Sequence, residues 1–270
     1  MASKWQDRSA GPEAHDTRGK TAPQRLRRLD QFLMALEPSL LSGHGATAVD
    51  LGYGRAPITT IEWFDRLRAQ HPRVRMVGVE RDPERVAAAE SHARPGLDFR
   101  RGDFELPVFE GERVCLLRAL NVLRQYEESA ATAAHRQLIA QIEEGGLVVE
   151  GTCDPPGRTL VVALLRRREG QVQSEGLLFA TSLNAPFEPR GFQAVLPKHL
   201  IHRMVPGEPI HAFFDAWDRA SKLTRDRSTF GARQHFVAAG EALAESVKGV
   251  VTRRSWLRNG WLFWRGAPYP

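Results

Sequence analysis

The chain has 270 residues, a formal net charge of +6 and a sequence pI near 9.8. It contains no run of 18 apolar residues and no signal-peptide core, so we expect a soluble, cytoplasmic protein without membrane contact. Its two cysteines, Cys115 and Cys153, lack the spacing of a metal site, so we expect buried thiols and no metal.

The first 40 residues divide into a polar segment and a helix. Residues 1–22 are polar and without periodicity, which predicts a flexible arm. Residues 23–40 place apolar side chains on one face, which predicts an amphipathic helix beside the first strand. Those side chains belong to Leu26, Leu29, Phe32, Leu33 and Leu36.

A short apolar run followed by two glycines is the most informative stretch of the sequence. Residues 47–51 have strand composition, and Gly52 and Gly54 follow at alternate positions. Glycines here predict a tight turn at the carboxyl end of a strand, where open parallel sheets bind ligands. The dinucleotide fingerprint needs a third glycine where Pro57 stands, and Asp50 is also foreign to it, so a nicotinamide oxidoreductase is disfavoured.

Two further predicted strands each end near an acid. Residues 58–70 carry apolar side chains at helical spacing and predict a helix between them. Residues 74–79 predict the second strand, which leads into Glu80, and a carboxylate at that place can accept both hydroxyl protons of a ribose. Residues 97–101 predict the third strand, which is followed by Asp103.

This constellation resembles the class I methyltransferases that use S-adenosylmethionine. Asp50-Leu-Gly-Tyr-Gly-Arg-Ala56 is similar to their motif I, with alanine at the usual third glycine. The resemblance implies that Asp50 organises the loop around the methionine amine, that Glu80 binds the ribose, and that Asp103 and Phe104 border the adenine. The cofactor-binding residues that it implies are Asp50, Gly52, Tyr53, Gly54, Glu80, Arg81, Asp103, Phe104 and Arg118. The implied product of the cofactor is S-adenosylhomocysteine.

Residues 114–120 form a nearly all-apolar run, typical of a buried parallel strand. In the resembled family the end of this strand faces the transferable methyl group, which implies catalytic contacts from Asn121 and Tyr126. Methyltransferases that act on base amines often carry Asn/Asp-Pro-Pro-Tyr/Phe at this place, and this chain does not. Asp154-Pro-Pro comes after the fifth predicted strand instead, and we interpret it as a turn at the rim of the site.

The resemblance implies a Rossmann-like, doubly wound α/β fold with a mostly parallel seven-stranded sheet and an antiparallel hairpin at its end. Residues 130–143 predict a helix, residues 147–151 the fifth strand, and residues 159–167 and 176–183 the hairpin. The family places a helix between strands five and six, but here only a Pro-Pro-Gly turn separates them. We therefore divide the chain into the arm at 1–22, a cofactor-binding core at 23–183 and a helical cap at 184–270. Three cap helices are predicted at 197–204, 209–222 and 232–247, followed by an aromatic cluster of Trp256, Trp261, Phe263 and Trp264.

Polar side chains concentrate at one place in the predicted cap. His199 and His202 stand beside Lys198 and Arg203, and this stretch is similar to bacterial methyltransferase-like proteins. An imidazole titrates near neutrality, so either histidine is a candidate base, and the cluster suits a lid over an anionic substrate. The alternative is that both histidines lie on a surface helix and bond to nearby carbonyls.

The leading hypothesis is methyl transfer to an oxygen or nitrogen of a small molecule. A nucleic-acid-modifying or nucleic-acid-binding protein on the same fold is the first alternative, because the chain is basic. The second is a module that binds the cofactor without transfer. The arginines are scattered through predicted helices, which is also what the base composition of a genome can produce.

Overall fold

A computed structural model describes residues 21–268. Except for its last two residues, the predicted arm at 1–22 lies outside the described residues. The helices are α1 (Arg27–Leu36), α2 (Ile58–Gln70), α3 (Pro83–Glu90), α4 (Glu128–Ala140), α5 (Lys198–Ile201), α6 (Pro209–Leu223), α7 (Ala232–Ser246) and α8 (Arg254–Arg258). The strands are β1 (Ala46–Leu51), β2 (Arg75–Glu80), β3 (Leu97–Arg101), β4 (Arg113–Leu120), β5 (Leu147–Cys153), β6 (Thr159–Arg168), β7 (Gln171–Thr181), β8 (Val250–Val251) and β9 (Trp261–Arg265).

All nine described strands form one sheet in the order β3-β2-β1-β4-β5-β6-β7-β9-β8. The first five run parallel, and each later pairing is antiparallel. Parallel pairing brings the carboxyl ends of β1 to β5 to one edge, and β7 also ends there because two antiparallel steps restore the direction. The prediction of a Rossmann-like, mixed α/β fold is confirmed.

The sheet is larger than the seven strands predicted, and the hairpin of β6 and β7 does not close it. β9 pairs with β7, and the short β8 pairs with β9, so the C-terminal segment contributes strands as well as helices. The physical reason is that β9 is apolar on both faces, with Trp261 and Phe263 on one and Leu262 and Trp264 on the other. The aromatic cluster expected in a helical cap is therefore divided between the two sides of the sheet.

The turn between β5 and β6 is as short as the sequence predicts. Cys153 pairs with Leu160 in antiparallel register, and no helix separates the two strands. Buried apolar side chains form two hydrophobic cores, one on each face of the sheet. One face packs against α1 and α2, and the opposite face packs against α4, α6 and α7.

Two predicted helices are shorter in the structure. The helix expected at 23–40 is confined to α1. It starts late because Gln24 adopts a φ of 62° and its backbone N–H donates to the Glu62 carboxylate, and it ends at Leu36 because Glu37 leaves the helical conformation with a φ of −146°. The helix expected at 197–204 contains only the four residues of α5, after which the chain enters a turn. The helices expected at 58–70, 209–222 and 232–247 agree with α2, α6 and α7 within one residue at each end.

Candidate functional site

The glycine turn after β1 lies at the edge where the parallel strands end. Gly52 and Gly54 have φ values of 73° and 81°, a left-handed conformation that side chains other than glycine rarely adopt. The Gly52 N–H donates to the Val79 carbonyl at 2.7 Å. A Cβ on Gly52 would lie 2.7 Å from Val122 Cγ2, so both the conformation and the space require glycine here.

Glu80 joins the end of β2 to this turn. Its Oε2 accepts a hydrogen bond from the Gly54 N–H at 2.8 Å, and its Oε1 accepts from the Arg81 N–H at 2.9 Å. The residue is only 6% exposed. Oε1 also accepts from the Asp82 N–H at 3.4 Å, so Oε2 is the oxygen that retains an acceptor position for a further donor.

Next to Glu80, the ends of β3 and β4 bring four of the predicted residues together. Arg81 and Asp103 form an ion pair of 3.6 Å on the surface. The Phe104 and Tyr126 rings meet edge to face with their centroids 5.3 Å apart. Burial and the nearby Asp103 carboxylate raise the pKa of the Tyr126 phenol above its ordinary value.

The side chain of Tyr53 points away from the turn into the core. Its ring packs edge to face against Phe99 with centroids 5.5 Å apart, and its hydroxyl donates to the Arg85 carbonyl at 3.5 Å. Burial and the Glu80 charge raise the pKa of this phenol well above its ordinary value. Only the backbone of Tyr53 therefore belongs to the glycine turn.

Asp50 and Arg118 form a buried ion pair beneath the turn. Arg118 Nε donates to Asp50 Oδ1 at 2.9 Å, and its Nη2 donates to Oδ2 at 2.7 Å. Thr60 Oγ1 donates to the same Oδ2 at 2.6 Å. Arg118 is fully buried and its guanidinium stacks 4.1 Å above the Trp63 ring, so both predicted cofactor residues are engaged by protein groups.

The pair continues to Asp30 on α1, a residue that sequence reasoning missed. Arg118 Nη1 donates to Asp30 Oδ1 at 2.5 Å, and Arg66 donates to the other oxygen. Burial raises the pKa of Asp30 to about 6, although both guanidinium groups oppose the rise. One sequence signal could have identified Asp30, namely its position as an acid on the apolar face of a predicted amphipathic helix.

Asn121 braces the ends of β4 and β5. Its Nδ2 donates to Cys153 Sγ at 3.3 Å, and its Oδ1 accepts from the Cys153 N–H at 3.0 Å. The residue adopts a left-handed φ of 62°. Both ends of the side-chain amide are therefore used within the protein.

The two candidate histidine bases occupy different environments. His199 is fully buried, stacks on His135 with ring centroids 4.9 Å apart, and has Nε2 3.2 Å from Thr132 Oγ1. His135 Nε2 in turn lies 3.7 Å from the Glu150 carboxylate on β5. His202 is exposed in the turn after α5, whereas His199 is buried within α5.

Among the described residues, 21–268, no group of three or more His, Cys, Asp or Glu side chains is arranged to hold a metal ion. No helix in this part of the chain is both long enough and apolar enough to span a bilayer.

Comparisons with known proteins give matches among solved structures only, since no protein-family model and no curated protein matches the chain. The plantazolicin methyltransferase BpumL, solved with S-adenosylhomocysteine, matches 49% of this chain and 48% of its own, at 10% identity and a TM-score of 0.39. The N-methyltransferase NodS from Bradyrhizobium japonicum matches 47% and 67%, at 18% identity and a TM-score of 0.35. A Plasmodium falciparum protein described as a protein-L-isoaspartate O-methyltransferase matches 54% and 67%, at 13% identity and a TM-score of 0.34. The chain thus matches about half the length of the first of these proteins.

Proposed function

We propose that this protein is an S-adenosylmethionine-dependent methyltransferase that acts on an oxygen or nitrogen of a small molecule. The observation that carries the proposal is the 2.8 Å hydrogen bond between the Gly54 N–H and Glu80 Oε2. It joins a glycine turn and a strand-terminal carboxylate at the carboxyl edge of adjacent parallel strands, the place where such sheets bind nucleosides. The acceptor position that remains on Glu80 Oε2 suits a ribose hydroxyl.

The neighbouring residues fit the rest of the cofactor. Gly52 is exposed and has no side chain, so the backbone of the turn is open to a ligand at close range. The Asp103 side chain is 42% exposed and can accept a hydrogen bond from an exocyclic amine, while Phe104 offers an apolar surface beside it. We assign Asp50, Tyr53 and Arg118 to holding the turn in place, because their side chains already bind protein groups.

The cofactor, when bound, supplies a methyl group already activated on a sulfonium. The task of the chain is then to orient the acceptor in line with that methyl group and to exclude water. Tyr126 is suited to orienting the acceptor as a hydrogen-bond donor, since a phenol is protonated at neutral pH. Asn121 is suited to fixing the backbone at the end of β4, and we retain His202 as the solvent-accessible candidate for a base.

Calorimetric titration with S-adenosylmethionine and S-adenosylhomocysteine tests the cofactor assignment. Each oxygen of the Glu80 carboxylate accepts from a backbone N–H group. Glu80→Gln replaces one of these oxygens with an amide NH₂, which would face a donor instead of accepting from it. We expect affinity to fall about 5- to 100-fold, which corresponds to the loss of charged hydrogen bonds. Glu90→Gln, an exposed carboxylate on α3, is the matched control and should bind as the wild type does.

Two outcomes contradict the proposal. Wild-type protein that binds neither compound, or that binds a nicotinamide dinucleotide in their place, would remove the cofactor assignment. Mass spectrometry across a panel of small-molecule acceptors then separates transfer from binding alone. Tight cofactor binding without any methylated product would favour the binding module over the enzyme.

A further inference from the structure

The segment where α6 meets α7 carries an excess of basic side chains. Residues 219–234, which we term the basic tip, carry five basic side chains and one acidic one, against a net charge of +6 for the whole chain. The basic residues are Arg219, Lys222, Arg225, Arg227 and Arg233, and all five are exposed. Within the described part of the chain, only Arg227 among them has an ion-pair partner, Asp226 at 3.4 Å.

The same segment exposes apolar surface. Leu223 is 81% exposed and Phe230 is 72% exposed, which makes them the two most exposed large apolar side chains of the described residues. Leu223 lies just before the 3-10 turn Arg225–Phe230 and Phe230 ends it, so two exposed apolar side chains and several unpaired cations share one segment. Single exposed apolar residues are ordinary, but this coincidence with unpaired charge marks a contact surface.

Buried side chains of α7 and of the segment after β7 anchor the basic tip. His235 lies one turn into α7, and its Nε2 is 2.8 Å from the Ser221 carbonyl near the end of α6. Phe187, which follows the end of β7, packs against Phe236 with ring centroids 4.9 Å apart. The basic tip therefore belongs to the same edge of the sheet as the glycine turn, although β7 stands four strands from β1, about 20 Å away at ordinary strand spacing.

We propose that the basic tip is a docking surface for single-stranded nucleic acid, a role that goes beyond the methyl transfer proposed above and does not depend on it. Four of its five cations are arginines, whose guanidinium groups pair with phosphates and stack on bases. Phe230 offers an aromatic face for a base, and Leu223 offers an apolar contact to a neighbouring one. The unpaired positive charge complements a phosphate backbone.

An anionic bilayer fits the same surface less well. Asp226 is exposed within the turn between Leu223 and Phe230. Inserting both apolar side chains into hydrocarbon would carry this carboxylate and its neighbouring arginines toward the membrane, at a cost in desolvation. A nucleic acid can contact the apolar side chains while the carboxylate stays in water beside Arg227.

Fluorescence anisotropy with labelled 15-nucleotide poly(U) RNA and poly(dT) DNA tests the proposal on the full chain. We expect wild-type binding at low salt, with an affinity that falls steeply as NaCl is raised. A triple variant with Lys222→Gln, Arg225→Gln and Arg233→Gln should bind about 100-fold more weakly at 0.1 M salt, and its log-log salt slope should be shallower by about 2.

The control is matched in charge. Arg73→Gln, Arg136→Gln and Lys248→Gln remove two arginines and one lysine that are also exposed, and this variant should bind within about twofold of the wild type. Phe230→Ala should weaken binding about 5- to 100-fold without changing the salt slope, because base stacking is not a charge contact, and Phe230→Trp should restore it. Loss of binding confined to the variants of the basic tip, with cofactor affinity intact, supports the proposal.

Three outcomes overturn the proposal. The first is the absence of wild-type binding to either oligonucleotide at 25 mM salt. The second is an equal loss in the two triple variants, which would reduce the effect to net charge. The third is binding to phosphatidylglycerol vesicles, but not to oligonucleotides, that depends on Leu223 and Phe230. A failure of cofactor binding in the calorimetric test would leave this result unchanged, so the two proposals can fail separately.

Discussion

Arg118 and Asp50 meet in a two-point ion pair directly beneath the glycine turn, with N–O distances of 2.9 and 2.7 Å. The pair connects β4 to the last part of β1, and Asp30 extends it to α1. The strand end that presents the glycine turn is therefore fixed by a buried charge network.

Arg118→Met should destabilise the fold strongly, because it leaves the buried Asp30 and Asp50 carboxylates without their shared cation. We expect the free energy of unfolding to fall by about 3–5 kcal/mol in urea denaturation. The comparison is Arg113→Met, which breaks a surface pair with Glu143 and should cost less than about 1 kcal/mol. Equal losses in the two variants would contradict a structural role for the buried pair.

Asp30 should make stability depend on pH in a window set by its two pKa values. Its pKa rises from 3.8 to about 6 on folding, so the folded state binds the proton more tightly. The contribution of Asp30 to stability is therefore full below pH 3.8 and is lost as the pH rises through 6. Asparagine does not titrate, so Asp30→Asn does not lose this contribution. The difference in unfolding free energy between the variant and the wild type should therefore shift by about 3 kcal/mol in favour of the variant as the pH rises from 3.8 to above 6. Urea denaturation at pH values from 3.5 to 7 measures it, and a constant difference would refute the assignment.

Gly52→Ala should damage both stability and cofactor binding. The alanine would have to adopt a left-handed φ, and its methyl group would lie 2.7 Å from Val122 Cγ2. We expect a loss of about 2–5 kcal/mol in unfolding free energy, together with weaker binding of S-adenosylhomocysteine. Gly111→Ala has a similar φ of 83° but open space around it, so it should cost only about 1–2 kcal/mol and leave binding intact.

The two candidate bases should separate in a stability measurement. His199→Ala removes a fully buried ring from its stack on His135, and we expect the melting temperature to fall by several degrees. His202→Ala removes an exposed ring and should leave it nearly unchanged. If His202 is the base, the second variant loses turnover while keeping its affinity for S-adenosylmethionine. Unchanged turnover would remove His202 from the chemistry.

The parts of the fold that depend on residues close together in the sequence could be predicted. The turn at Gly52 and Gly54 and the acid at Glu80 could be located because strand ends, glycines and carboxylates follow local rules. The sequence could not predict that β9 joins the sheet, because an apolar run of four residues is compatible with a helix or a strand until its partner is known.

Side-chain partners across the chain were beyond local rules for the same reason. Asp30 and Arg118 are 88 residues apart, and their pairing depends on where α1 lies against the sheet. His199 was a candidate base with a surface position as the alternative, yet α5 packs it, fully buried, against His135 of α4. In both cases tertiary contacts determine the environment of a residue whose local sequence gives no such sign.

Phe32 of α1 packs against Trp256, Trp261 and Phe263, which lie near the other end of the described chain. The first helix thus packs against side chains more than 220 positions further along the sequence. α1 also carries Asp30, which accepts from Arg118 beneath the glycine turn. The position of β9 in the sheet is therefore linked, through α1, to the charge network that supports that turn.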